Sequence, residues 1–276
     1  MATHRVLIGI LYTDEQEFKQ CLASIQVQVN VTIDHFVISG RKNLEAHDQL
    51  YERFNESADE FGWFLKMDAD MVFRTPTALD TMLGYFHKNP ELDHLMVDVF
   101  DWPSQMLIPG QQLYSNRVRW TGNRGGAASV VDYHGIYPGK SIRIPAKPAP
   151  LTDHMPNPSP FQAFAYGVHK GVKAIQPKEP NKEFDRALLH WTILNRIYVA
   201  YKHQSDIRRL YALVGANLVF RSQTPELFVD YKSEELCEFF SKEVLQTSGD
   251  ALEREAETWE NQTYNNIRWL LRFESA

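Results

Sequence analysis

Short apolar runs alternate with amphipathic segments along the first hundred residues. The predicted strands, in which apolar residues predominate, cover residues 5–11, 33–38, 63–67 and 95–100. Between them, apolar side chains recur at helical spacing, first at Phe18, Cys21, Leu22 and Ile25. This alternation is typical of βαβ units and predicts an α/β fold with a mixed, mostly parallel sheet flanked by helices.

Capping residues predict where several helices begin. Thr13 and Gln16 have the spacing of a capping box, in which two side chains bond reciprocally to the first turn of a helix. Thr75 and Pro76 predict a second start, as N-cap and first helical residue. The segment 159–162, Ser-Pro-Phe-Gln, combines both signals and predicts the start of a late helix.

The pattern changes after residue 100. Proline, glycine, asparagine and aromatic residues become frequent, which predicts short β segments and a region that shapes a substrate site. Amphipathic helices then dominate, over residues 184–201, 207–218, 233–245 and 263–273. The chain is therefore predicted to have three parts: a regular half over 1–100, a substrate-shaping half over 101–180 and a helical C-terminal extension over 181–276.

Composition narrows the classes of partner. The 276 residues are 43% hydrophobic, enough for a sizeable core. The 29 basic residues against 35 acidic ones give a net charge of -6, without the basic stripe that nucleic acid requires, so we expect no nucleic-acid partner. Cys21 and Cys237 are the only cysteines, and neither a secretory leader nor a membrane-spanning apolar segment is evident. We expect a cytoplasmic protein.

The candidate chemistry centres on Asp68-Ala69-Asp70, which directly follows the apolar run 63–67. Two carboxylates this close disfavour each other's ionisation unless a cation neutralises them. Apolar residues on both sides indicate a strand end rather than a solvated turn. Carboxylate oxygens suit Mn²⁺ or Mg²⁺, whose coordination shell substrate phosphates commonly complete. The alternative is that both acids only cap a turn.

Lys66 shares a strand face with Asp68, because side chains alternate along a strand. It is a candidate for neutralising either this acid or a bound phosphate. A structural ion pair is the alternative.

With these features the first hundred residues resemble the GT-A glycosyltransferases, particularly the family-two bacterial enzymes. The resemblance rests on an opening strand that ends in Tyr12-Thr13, a helix, a second strand, and the strand that leads to Asp68 and Asp70. It implies a GT-A (Rossmann-like) fold in which residues 1–100 bind a nucleotide diphosphate sugar. By the same resemblance, the first strand end and Asp68 would contact this donor, and both aspartates would act with a divalent metal.

The second strand departs from the family pattern. Family members commonly carry an aspartate there that binds the base or ribose, whereas this chain has Ser39-Gly40-Arg41. Ser39 is the candidate donor contact at this position, and the base of the donor is left open.

The stretch before the late helix commonly supplies a base and sometimes a third metal ligand in the family. By this resemblance Asp153 is the candidate general base, taking a proton from the acceptor hydroxyl. His154 is the candidate third ligand. A nearby aspartate as base implies inversion at the anomeric carbon. In the alternative, both residues only hydrogen-bond the start of the helix.

The implied acceptor is a saccharide, a lipid-linked molecule or a small molecule with a hydroxyl group. Two other functions stay open. A nucleotidyl- or phosphotransferase would use the same metal site, although Gly125-Gly126 lacks the strand-to-helix context of a phosphate-binding loop. A non-catalytic nucleotide-sugar-binding protein is the second alternative.

The C-terminal segment 263–273 places Arg268 and Arg272 among apolar residues. This pattern predicts either peripheral contact with the inner face of a membrane or packing on the core.

Aromatic residues of the irregular region are further candidates. Trp102, Tyr114 and Trp120 suit stacking on a sugar ring or, alternatively, local core packing. His134, between Tyr133 and Gly135, is a further candidate for contact with substrate.

Overall fold

The structure is a computed structural model that describes residues 5–123, 133–144, 149–175, 184–222 and 233–258. The chain divides into two compact units. The first comprises residues up to 102 together with 107–157, and the second comprises 103–106 together with residues from 158 onward. The first unit thus takes in the predicted regular half and most of the predicted substrate-shaping half.

Strands and three helices build the described part of the first unit. In chain order the strands are β1 (Arg5–Tyr12), β2 (Thr32–Ser39), β3 (Trp63–Asp68), β4 (Met71–Phe73), β5 (Leu92–Asp101), β6 (Met106–Ser115), β7 (Arg119–Asn123), β8 (Tyr133–Ile136), β9 (Lys140–Ile144) and β10 (Thr152–His154). The helices are α1 (Phe18–Gln26), α2 (Asn43–Glu56) and α3 (Ala78–Lys88).

One mixed sheet of eight strands organises this unit. Its order is β2-β1-β3-β6-β5-β10-β4, with β9 paired to β5. β1 is parallel to β2 and β3, and β5 is parallel to β9 and β10. β6 runs antiparallel to β3, and β4 runs antiparallel to β10. The prediction of an α/β fold is confirmed at this level, as a mixed sheet flanked by helices.

The turn between β3 and β4 shows that the sheet curls. Along the chain only Ala69 and Asp70 separate these strands, whereas β6, β5 and β10 lie between them in the sheet. Three residue steps reach about 11 Å at most. Four strand spacings in a flat sheet would span roughly 19 Å. The β10-β4 edge therefore curves back toward the carboxyl end of β3.

Two apolar clusters cover the two faces of the parallel strands. Side chains of β1 alternate in direction, so that Val6 and Ile10 pack with α1 and α3 while Leu7 packs with α2. Gly9 faces α2, where a Cβ atom would lie 2.1 Å from Leu50 Cδ1. The missing side chain lets α2 approach β1 closely.

The predicted capping box at Thr13 and Gln16 is wrong. α1 begins at Phe18, after Glu17 as N-cap. Asp14 has a left-handed backbone with φ 59°, which residues of a first helical turn do not adopt.

The predicted helix start at Thr75 and Pro76 is also wrong, since α3 begins at Ala78. The Thr75 carbonyl accepts a hydrogen bond from Gln28 Nε2 at 2.8 Å, and the Pro76 carbonyl accepts one from the Val29 amide at 2.9 Å. These long-range bonds hold the segment as a loop.

Helices dominate the described residues of the second unit. They are α4 (Pro160–Ile175), α5 (Phe184–His203), α6 (Ile207–Ser222) and α7 (Glu234–Phe239), followed by a π-helix (Phe240–Val244) and a helical stretch over 249–258. The predicted helix at 263–273 lies outside the described residues. Across the ranges that are described, no helix is long and apolar enough to cross a lipid bilayer.

The predicted start of α4 is confirmed. Ser159 Oγ accepts a hydrogen bond from the Gln162 amide at 3.2 Å, and Gln162 Oε1 accepts one from the Ser159 amide at 3.4 Å. This is the reciprocal pair of a capping box.

α4 and α6 approach each other backbone to backbone. A Cβ atom on Gly167 would lie 1.7 Å from the Ala212 carbonyl oxygen, and one on Gly215 would lie 2.3 Å from that of Phe164. Only glycine fits at these two contacts, because a methyl group would overlap backbone atoms that have nowhere to move.

Candidate functional site

The carboxyl ends of β1, β2 and β3 meet at one edge of the sheet. Tyr12 is the register partner of Ser39, and Leu11 is that of Asp68. Thr13 follows β1 and is exposed. Ligands of open α/β sheets bind outside the carboxyl ends of parallel strands. The structure thus brings the four predicted donor contacts at these strand ends to the edge where a ligand is expected.

Lys66 and Asp68 form an ion pair on one face of β3. Lys66 Nζ lies 2.7 Å from Asp68 Oδ1, and 37% of the Asp68 side chain stays exposed. Burial raises the pKa of Asp68, but the charge and hydrogen bond of Lys66, together with His47, bring it down to about 2 from 3.8. Asp68 is therefore ionised at neutral pH and still accessible to a ligand.

Asp70 lies in the turn between β3 and β4. The Ala69 amide donates to the Leu11 carbonyl at 2.9 Å, and the Asp70 carbonyl accepts from the Met155 amide at 2.8 Å. These bonds tie the turn to β1 on one side and to the end of β10 on the other. Asp70 Oδ2 lies 3.6 Å from His154 Nε2, and both side chains are mostly buried.

His154 lies between two carboxyl groups. It is the register partner of Asp101 in the parallel β5-β10 pair, so both side chains leave the same face. His154 Nδ1 is 2.7 Å from Oδ1 of Asp101, whose side chain is fully buried. The Trp102 amide donates to the His154 carbonyl at 3.1 Å. The structure thus brings together Asp70 and His154, two of the three predicted metal ligands.

Asp153 leaves the opposite face of β10. Its Oδ1 accepts hydrogen bonds from Arg74 Nε at 2.8 Å and Nη2 at 2.5 Å. The Arg74 guanidinium lies 5.1 Å from the ring of Phe100, the register partner of Asp153. The structure therefore does not bring the predicted base and the predicted ligand His154 to the same face.

Burial and nearby carboxylates both act on the thiol of Cys21, and burial has the larger effect. Burial raises its pKa to about 12, and the carboxylates of Asp70, Asp68 and Glu15 add to the rise. The same carboxylates that disfavour a thiolate favour a cation close to them.

Unusual backbone accompanies the site. Asp14, Gly40 and Met155 follow β1, β2 and β10 and have φ angles of 59°, 65° and 50°. A left-handed residue other than glycine costs about 1–2 kcal/mol. Such conformations cluster where loops must hold a defined shape around a functional site.

Three residues at this edge were missed by the sequence analysis. Asp101 is the last residue of β5, and an acid at a strand end was the signal that could have found it. Arg74 follows β4, which is too short to show a period. His47 lies on α2 and lowers the pKa of Asp68 through its charge. No sequence pattern indicates that these two residues approach each other.

The aromatic candidates have different environments. Tyr114 and Trp120 are buried and pack edge to face, with ring centroids 5.2 Å apart, as core residues on the α2 side of the sheet. Trp102 is partly buried next to the site. The side chain of His134 lies outside the described residues.

The side-chain atoms that could bind a metal at the site are of the chemical types that Mn²⁺ or Mg²⁺ prefers. Asp68 and Asp70 offer carboxylate oxygens, and the imidazole nitrogen of His154 favours Mn²⁺. Two ligands at right angles in a shell with bonds of about 2.1 Å lie about 3 Å apart. The 3.6 Å between Asp70 Oδ2 and His154 Nε2 is close to this value. In the described parts of the chain no three His, Cys, Asp or Glu side chains form a ready metal site, so substrate oxygens would have to complete the shell.

Comparisons with known proteins assign neither a family nor a function to this chain. No protein-family model matches the chain, and no curated protein matches it in sequence. Among solved structures, the crystal structure of A197 from STIV is similar to 41% of this chain, with 12% sequence identity and a TM-score of 0.33. The match spans 65% of the STIV protein. A likeness at this level shows neither a common fold nor a common function.

Proposed function

We propose that this chain is a divalent-metal-dependent GT-A glycosyltransferase, which moves a sugar from a nucleotide diphosphate sugar to a hydroxyl group of an acceptor. One observation carries the proposal: Asp70 and His154 lie 3.6 Å apart, beside an ionised Asp68, where parallel strands end. The parallel β2-β1-β3 segment beside the antiparallel β6 further supports a GT-A fold.

Asp68, Asp70 and His154 are the residues that would hold the metal. When bound, a divalent cation neutralises charge on the nucleoside diphosphate leaving group. The carboxylates that add to the rise in the pKa of the Cys21 thiol also favour a cation at this place.

The donor would lie along the ends of β1 and β2. Tyr12 and Ser39 are adjacent there, with Thr13 exposed beside them, and can contact the nucleoside part. Lys66 donates to Asp68 and keeps this carboxylate ionised, and its ammonium group also suits a diphosphate oxygen.

Asp153 is the proposed general base. Both hydrogen bonds from Arg74 go to Oδ1, which fixes the carboxyl group and makes Oδ2 the oxygen that would take the proton. The acceptor would then approach from the Asp153 face of β10, and the configuration at the anomeric carbon would invert. This acceptor is a saccharide, a lipid-linked molecule or a small molecule.

The test begins with ligand binding. Thermal unfolding in the presence of UDP- and GDP-sugars, with and without Mn²⁺, should identify a donor, since a ligand that binds the native state raises its unfolding temperature. The identified donor is then incubated with Mn²⁺ and candidate acceptors, and products are assigned by mass spectrometry.

Three outcomes separate the possible functions. Release of the nucleoside diphosphate with transfer or hydrolysis of the sugar supports the proposal. Release of pyrophosphate or transfer of a nucleotidyl group indicates a nucleotidyltransferase instead, and Mn²⁺-dependent binding without turnover indicates a binding protein. Asp70→Asn should abolish turnover, whereas Asp98→Asn should retain it, because Asp98 is a buried aspartate of β5 that pairs with Arg143 and lies outside the site.

A further inference from the structure

The side chain of Asp101 has a place at the site that the proposed reaction does not by itself explain. It is fully buried at the end of β5, and its Oδ1 lies 2.7 Å from His154 Nδ1. Where Asp101 accepts this hydrogen bond, Nδ1 of the ring carries the hydrogen. In a neutral imidazole the lone pair is then on Nε2.

His154 Nε2 faces Asp70. The distance of 3.6 Å between Nε2 and Asp70 Oδ2 exceeds a hydrogen bond between nitrogen and oxygen, which measures about 2.7–3.2 Å. The two atoms are thus near neighbours that do not bond to each other. Two ligands of one cation lie about 3 Å apart, so a small approach would let both atoms bind the same cation.

We infer that Asp101 is a positioning residue that, by accepting the hydrogen bond from His154 Nδ1, holds Nε2 toward Asp70 in the form that can bind a divalent cation. The inference rests on the proposed function and assigns a role to a residue that does not touch the cation itself. Backbone pairing supports it, since the Trp102 amide bonds to the His154 carbonyl and fixes the strand that carries the ring. Carboxylate partners of metal-bound histidines act in this way in many proteins.

The rival role is structural. In that case Asp101 and Asp70 would flank a positively charged imidazole and only stabilise the packing of β5, β10 and β4. Both roles predict that loss of Asp101 destabilises the fold, so stability does not separate them. Affinity for a cation separates the two roles, because only the positioning role predicts that loss of Asp101 weakens it.

The test compares Mn²⁺ binding by the wild-type chain, Asp101→Asn and Asp98→Asn. Free Mn²⁺ is measured by its electron paramagnetic resonance signal, which is lost on binding, and no turnover is needed. Asp98 is the matched control, because it is also a buried aspartate of β5 but pairs with Arg143. Asp101→Asn should weaken Mn²⁺ binding about 10- to 100-fold, the usual effect of removing such a partner. Asp98→Asn should bind within about twofold of wild type.

The outcomes distinguish this inference from the proposed function. Equal Mn²⁺ affinities for Asp101→Asn and wild type overturn the role of Asp101 and leave the metal site intact. Absence of Mn²⁺ binding by the wild-type chain, both alone and with UDP or GDP present to supply phosphate oxygens, overturns both. If Asp101→Asn does not fold, nitrogen NMR of the wild-type ring decides. A hydrogen on Nδ1 and a shift of Nε2 on addition of Cd²⁺ support the inference, whereas a hydrogen on Nε2 overturns it.

Discussion

Asp153 and His154 are adjacent in β10, yet their side chains leave opposite faces of the sheet, where Asp153 meets Arg74 and His154 meets Asp101. Neighbouring residues of a strand diverge in this way because the backbone is pleated. Under the proposed function, the two residues therefore have separable roles, one toward the acceptor and one toward the metal.

The first prediction concerns this separation. Asp153→Asn should lower kcat by about 10²- to 10⁴-fold, the usual contribution of a general base. Its Mn²⁺ affinity should stay at the wild-type level, because Asp153 faces away from His154. Steady-state kinetics and Mn²⁺ titration measure the two effects, and His154→Ala provides the converse case, with weakened Mn²⁺ binding. Nearly unchanged turnover of Asp153→Asn would refute its assignment as the base.

The ion pair of Lys66 and Asp68 predicts a dependence of stability on pH. The pKa of Asp68 is lowered from 3.8 to about 2, so its contribution to the free energy of unfolding is present above the higher value. The contribution is lost as pH falls through the lower value. Lys66→Met removes the main influence that lowers the pKa of Asp68 against the effect of burial, and this variant should therefore lose less stability between about pH 4 and pH 2 than the wild type.

Urea unfolding across this pH range measures the effect. The difference is expected to be modest, because 37% of the Asp68 side chain is exposed and water screens the pair. Asp68→Asn should flatten the profile in the same way. Lys140→Met, which breaks an exposed pair with Glu91, serves as the control and should follow the wild type. If the free energy of unfolding of wild type and Lys66→Met falls equally with pH, the Lys66–Asp68 pair does not cause the loss of stability.

Local sequence patterns predicted much of the first unit but not all of its site. β1 and β3 are mostly apolar runs bounded by polar residues, so their ends and the position of Asp68 followed directly from the sequence. β10 has only the three residues Thr152–His154, two of them charged or titratable, and forms because β5 and β4 offer it hydrogen bonds. Three residues are too few to show the alternation of apolar and polar side chains that predicts a strand.

Long-range contacts explain the remaining errors at the site. The spacing of Thr75 and Pro76 matches a helix start, but bonds from Gln28 and Val29 hold both carbonyls in a loop. Asp101 was visible only as an acid after a strand, and its approach to His154 depends on a pairing across 53 residues of chain.

The third prediction concerns His94. Burial lowers its pKa from 6.5 to about 4, although a hydrogen bond with Gln112 opposes the shift. Because the folded-state value is depressed, the stabilising contribution is full above the higher value and is lost as pH falls through the lower one. The ring stacks on Tyr114 with centroids 4.7 Å apart, so His94→Phe keeps the stacking and removes the titration.

His94→Phe should therefore lose less free energy of unfolding between about pH 7 and pH 4 than the wild type does. Denaturant unfolding at several pH values provides the measurement. His35→Gln, a change of an exposed histidine in β2, should leave the wild-type profile unaltered. A profile of His94→Phe as steep as that of the wild type would show that another group titrates in this range.

The fourth prediction uses two glycines in helices. Gly167→Ala should destabilise the second unit by about 1–3 kcal/mol or more, the cost of overpacking a rigid contact. The new Cβ would lie 1.7 Å from the Ala212 carbonyl oxygen. Gly84→Ala, in α3 of the first unit, places its Cβ where no atom lies within 4 Å. It should stabilise the chain by about 0.5–1 kcal/mol, because alanine favours a helix more than glycine does.

Calorimetric unfolding temperatures check this pair of changes. A lower temperature for Gly167→Ala together with a higher one for Gly84→Ala is expected. An unchanged temperature for Gly167→Ala would show that α4 and α6 move apart at little cost.

The insertion of β10 between β5 and β4 has a consequence for the order of events during synthesis. β4 ends at Phe73 and β5 at Asp101, but the strand that joins them begins only at Thr152. In a nascent chain β4 and the carboxyl-terminal end of β5 therefore lack their β10 partner until some fifty residues after β5 have been made, and pairing over such distances is slow. Asp70 and Asp101 are synthesised well before His154, so the contacts among these three residues form only when the first unit is nearly complete. Partial chains are open to misassembly until then.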